Sequence, residues 1–77
     1  MRKSIHSKRQ KQLCDLLKAA RKNAGLTQGD VAKRLRTFTT YVSRYERGDR
    51  RLDVIEYLDV ADALRVDPVI LLAKVRA

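Results

Sequence analysis

The sequence predicts an all-α fold of five short helices in one small domain. Apolar residues recur at spacings of three and four along most of the chain, and capping residues, glycines and a proline punctuate them. No alternating strand pattern, internal repeat or low-complexity linker interrupts this order. At 77 residues there is material for one core and not two. A core of that size supplies only about 3–5 kcal/mol without disulfides or a metal.

Residues 1–7 form an expected basic, flexible arm, and the domain is expected to span 8–77. Five basic side chains and almost no apolar ones lie between Met1 and Lys11. The arm is either a solvated tail or a segment that follows a polyanionic backbone. The first helix is expected from about Ser7 to Ala24, with Leu13, Leu17, Ala20 and Ala24 as its inner stripe and Leu16 widening it. Gly25 ends it, because glycine takes the left-handed conformation that closes a helix. Cys14, beside the stripe, reads as a small buried side chain rather than a reactive thiol.

The second helix begins after the N-cap Thr27, with Asp30 favouring its positive start. Val31, Ala32 and Leu35 form its inner face, and it runs for about eight residues. Thr37 is the expected cap of the third helix, whose apolar period is Phe38, Val42 and Tyr45 and which ends at Glu46 or Arg47 against Gly48. Asp53 and Glu56 make a capping box for the fourth, expected to bury Val54, Leu58, Ala61 and Leu64. Asp67 and Pro68 start the fifth.

The composition excludes most chemistry. One cysteine allows neither an intrachain disulfide nor a cysteine-based zinc site. The single histidine, His6, lies in the arm, and no phosphate-cradling loop, metal-ligand spacing or nucleophile motif occurs. No enzyme activity, cofactor, metal or small-molecule substrate is expected. With no secretory leader and no apolar run near the roughly 18 residues that span a bilayer, the expected location is the cytoplasm, away from membranes.

Charge supplies the positive statement. The net charge is +9, which favours a polyanionic partner. Residues 1–51 carry 15 basic and 4 acidic side chains, against 3 and 5 in residues 52–77, so the polyanion-facing surface belongs to the first two-thirds. Within it, two short helices joined by three or four residues make a helix-turn-helix. Counting from Gln28, the apolar or small positions are the fourth (Val31), fifth (Ala32), eighth (Leu35), fifteenth (Val42) and eighteenth (Tyr45). Ala32 leaves room for the third helix to cross closely, and Val42 and Tyr45 pin that helix with its opposite face free.

The run Leu26-Thr-Gln-Gly-Asp-Val-Ala-Lys-Arg-Leu35 followed by Tyr41-Val-Ser-Arg-Tyr-Glu-Arg-Gly48 resembles the Cro and lambda-repressor-like helix-turn-helix family, also called XRE. The likeness extends from about Leu13 to Leu72. It implies a compact five-helix lambda-repressor-like fold and a sequence-specific regulator of transcription, a repressor, that binds double-stranded DNA. By it, Thr39, Thr40, Ser43 and Arg44 are the base-reading positions of the third helix. Arginine can donate two parallel hydrogen bonds to guanine, although Arg44 could instead hold a phosphate.

The resemblance also places Gln28 on the DNA backbone, where a helix N-terminus favours phosphate. Thr27, Arg36, Thr37 and Tyr41 join it there, with Arg47, Arg50 and Arg51 as further phosphate grips. Arg21 and Glu46 match a structural ion pair of the family. Two positions depart from its pattern. Arg36 stands where the turn usually has glycine, so it either takes a left-handed conformation at about 1 kcal/mol or remodels the turn. Gly29 stands where a better helix former is usual.

The last helix holds more apolar residues than one face can bury. Val69, Ile70, Leu72 and Val75 are therefore candidates for a homodimer contact. The same helix could instead bind a protein partner, as in an antitoxin, or complete a monomer core.

Overall fold

The computed structural model describes residues 7–75 and contains five helices among them: α1 Lys8–Asn23, α2 Gln28–Leu35, α3 Thr39–Arg47, α4 Val54–Leu64 and α5 Pro68–Ala73. The all-helical class and the order of elements are as the sequence predicts. Residues 1–6 of the expected arm, His6 included, lie outside the described residues.

Four helices start on a side-chain cap. Ser7 Oγ accepts from Gln10 N on α1. Thr27 with Asp30 and Asp53 with Glu56 form full capping boxes on α2 and α4. On α5, Asp67 Oδ1 accepts from the N–H groups of Val69 and Ile70 at 2.8 and 3.2 Å. The exception is α3, whose N-cap is Phe38 and not Thr37, with no side-chain bond to its first turn. Thr37 instead belongs to the end of α2, where its N–H donates to Ala32 O at 2.9 Å. The expected inward place of Phe38 also fails, for it is 79% exposed. At φ −95° and ψ 153° it stands outside the helix, so the four-residue step back from Val42 does not keep it on the buried face.

The first four helices close with one device. Among the described residues, those in the left-handed region are Gly25, Arg36, Gly48 and Arg65, with φ of 73°, 57°, 84° and 57°. At each, the next residue's N–H returns to a carbonyl five positions back: Leu26 to Arg21, Thr37 to Ala32, Asp49 to Arg44 and Val66 to Ala61. This is the Schellman closure that glycine usually supplies. Arg36 thus takes the left-handed alternative, and the turn keeps the geometry that glycine would have given it.

The core gathers Leu17, Val31, Ala32, Val42, Tyr45, Tyr57, Val60, Leu64 and Leu71, with Leu13, Leu16, Ala20 and Leu35 packed against it. Cys14 is buried and unpaired, and burial pushes its thiol above the ordinary range, which disfavours the reactive thiolate. Two inner-face expectations need correction. Ala24 is the exposed C-cap of α1. On α4 the buried residues are Tyr57, Val60, Ala61 and Leu64, while Val54 and Leu58 face outward with Ile55. The choice is tertiary: Tyr57 reaches from α4 to the start of α5 and donates its hydroxyl to Pro68 O at 2.7 Å.

Candidate nucleic-acid interface

What aims α3 is a polar cluster under the helix-turn-helix. Arg21 of α1 donates to both carboxylate oxygens of Glu46 on α3, at 2.7 and 3.2 Å, and to Leu26 O at 2.9 Å. Gln28, at the start of α2, donates to Glu46 Oε1 at 3.1 Å. One carboxylate therefore ties three elements together, and the side chains of Arg21 and Glu46 are only 11% and 2% exposed. Buried charge persists only when partnered this completely. Gln28 has its amide donor turned to Glu46, which leaves its Oε1 and the helix N-terminus for other contacts.

On the opposite face of α3, Thr39, Thr40 and Arg44 are exposed and Ser43 is half-buried. They occupy the first, second, fifth and sixth positions of the helix as built. Ser43 Oγ donates to Thr40 O at 3.2 Å and keeps its lone pairs outward. Thr27 and Gln28 begin α2, and Arg36 and Thr37 form the turn into α3, with Arg36 exposed. Gly29 lies close to the start of α3. A Cβ there would sit 3.9 Å from Thr39 Oγ1 and 3.7 Å from Thr27 Oγ1, an ordinary contact, so the protein itself does not require glycine.

The three loop arginines differ. Arg47 is exposed and pairs loosely with Asp49 at 3.2 Å. Arg51 is exposed. Arg50 is committed to the protein: its Nη2 donates to Glu56 Oε2 at 2.6 Å, and its guanidinium lies 4.6 Å from the centre of the Tyr41 ring. Glu56 also accepts from Asp53 N at 2.9 Å, and with Arg50 as the main cause its carboxyl falls to about 2. Tyr41 in turn meets Tyr45 edge-on, with ring centres 5.8 Å apart. This Arg50, Glu56 and Tyr41 clamp was not legible in the sequence; the only hint was that Glu56, a capping residue, follows Arg50 by six positions.

On α5, Val69, Ile70 and Leu72 are 73%, 61% and 48% exposed, and Val75 is half-buried. Val54 and Ile55 on α4 are 72% and 65% exposed. Among the described residues no group of histidine, cysteine and carboxylates could hold a metal, and no helix is long and apolar enough to cross a membrane.

A sequence profile of the helix-turn-helix domain family matches residues 12–72. Among solved structures, the chain is similar to an XRE-family-like protein from Pseudomonas syringae pv. tomato, with 45% identity and a TM-score of 0.86 over 92% of this chain and 87% of that one. It is also similar to the restriction-modification controller protein C.AhdI from Aeromonas hydrophila, with 30% identity and a TM-score of 0.72 over 78% of this chain and 91% of the other. A third likeness is to the controller protein C.Esp1396I, at 26% identity and a TM-score of 0.82 over 91% and 92% of the two chains. A search of curated protein sequences finds no significant match.

Proposed function

The chain belongs to the XRE-like helix-turn-helix family of DNA-binding transcription regulators, and on that premise we propose that it is a homodimeric cytoplasmic repressor that lays α3 in the major groove. The observation that carries this reading is the outward face of α3. The side chain of Arg44 has no hydrogen-bond or ion-pair partner among the described residues, and it stands beside exposed Thr39 and Thr40 on a helix held from behind by the Arg21 and Glu46 cluster. A rigid helix offering unspent donors is what base reading needs.

In this reading Thr39, Thr40, Ser43 and Arg44 meet base edges, and Thr27, Gln28, Arg36, Thr37, Tyr41, Arg47 and Arg51 meet the phosphate backbone. Arg50 serves by holding Tyr41. Two copies, joined through the apolar residues of α5 and the outer face of α4, would read half-sites about 34 Å apart. The net charge of +9 supports a strong electrostatic share of the affinity.

The test is selection of bound duplexes from a genomic pool, followed by titration of wild type and Arg44→Ala on the selected site across a range of salt. A two-fold-related site, steep salt dependence and lost preference in the variant are expected. Equal affinity for all duplexes in both proteins would remove base reading by Arg44, and a flat salt response would remove DNA as the partner. Sedimentation at micromolar concentration reads the dimer directly; a monomer on and off DNA would end that part.

A further inference from the structure

We propose that Phe38 is a specificity residue that packs on thymine methyl groups in the major groove, an inference that rests on α3 being the recognition helix. Phe38 is the most exposed of the large hydrophobic side chains among the described residues, at 79%. It stands at the one helix start in the described chain that lacks a side-chain cap, whereas Ser7, Thr27, Asp53 and Asp67 cap the other four. A serine, threonine, asparagine or aspartate would be favoured there on local grounds. The residue present therefore weakens the free protein twice, by leaving the first turn of α3 without a side-chain acceptor and by holding a phenyl ring in water.

Its surroundings select the partner. The next two residues, Thr39 and Thr40, are exposed and polar, and Arg36 lies two positions before it, also exposed. The other large exposed hydrophobics among the described residues are Val54, Ile55, Leu58, Val69, Ile70 and Leu72, all on α4 and α5. Phe38 is thus a single apolar spot in a polar, cationic surface, unlike the contiguous apolar core of a protein interface. A helix in the major groove turns its N-terminal residues to the base edges, and the apolar feature of that groove is the C5-methyl of thymine.

The experiment uses a duplex selected by the wild-type chain, together with copies in which each thymine is singly replaced by deoxyuracil, which removes only the methyl. Wild type is expected to lose about fourfold at one or more of these positions, the worth of one buried methyl-sized group. Phe38→Ser should bind the parent duplex at least as much more weakly, be indifferent to those same replacements, and melt no lower than wild type because serine restores the cap. Unchanged affinity in Phe38→Ser, or the same deoxyuracil losses in both proteins, would overturn the proposal. So would a variant whose self-association falls while its affinity per dimer holds, since Phe38 would then be a protein contact. Absence of any salt-dependent duplex binding by wild type would instead refute the recognition-helix reading, and this inference with it.

Discussion

Arg21 and Glu46, 25 residues apart in sequence, meet through two hydrogen bonds of 2.7 and 3.2 Å beneath the helix-turn-helix. Removing either partner strands the other in a site with little water. Arg21→Ala is expected to cost about 3–5 kcal/mol in chemical denaturation, a large share of what a domain this size possesses. Gln28→Ala, which removes one of several bonds to Glu46, should cost about 1 kcal/mol. Equal losses in the two variants would show that the ion pair is not the dominant member of the cluster.

Arg36 and Arg65 share a left-handed backbone but differ in position, one in the turn before α3 and the other after α4. Replacing either with glycine relieves about 1 kcal/mol of backbone strain, which should raise the melting temperature by about 4–8 °C. Only Arg36→Gly should also weaken DNA binding and lower the slope of log affinity against log salt, by about 0.9 for each protomer. A matching slope change in Arg65→Gly would contradict the placement of the interface.

Arg50 offers the converse case. Its guanidinium is held by Glu56 at 2.6 Å and by the Tyr41 ring, so Arg50→Gln should reduce affinity through a mispositioned Tyr41 and leave the salt slope near that of wild type. A slope reduced as in Arg36→Gly would make Arg50 a direct phosphate ligand.

The same clamp sets an acid response. Glu56 has its carboxyl lowered from 4.5 to about 2, first by the bond from Arg50. A folded value below the unfolded one means that its contribution is fully present above pH 4.5 and drains away as pH falls toward 2. Urea midpoints at pH 7 and pH 3 should therefore lie closer together in Glu56→Gln than in wild type. An identical gap in the two proteins would show that other carboxylates carry the acid loss.

Much of the fold was readable from local chemistry. Thr27, Asp53 and Asp67 declare helix starts because a short side chain three residues before a free N–H has one natural use, and Gly25 and Gly48 declare ends because of their freedom at positive φ. The register from Gln28 to Tyr45 placed Val31, Ala32 and Val42 in the core, and it placed Thr39, Thr40, Ser43 and Arg44 together on the outer face of α3. Those are properties of spacing along one helix or two adjoining ones.

Tertiary structure decided what spacing left degenerate. Thr37 and Phe38 compete for one cap, and the structure gives it to Phe38 while the N–H of Thr37 closes α2. On α4 two apolar stripes are available, and Tyr57 was turned inward by a partner eleven residues away at Pro68. Arg47 and Arg50 look alike in a basic loop, yet Arg47 pairs loosely with its neighbour Asp49 while Arg50 meets an acid and an aromatic ring brought to it by other helices. Sequence alone determined the five helices, most of their ends and the outward face of α3, because these depend on neighbours within about one turn. Which cation is held by the rest of the protein, and which apolar side chains stay in water, depended on contacts between helices that no local pattern contains.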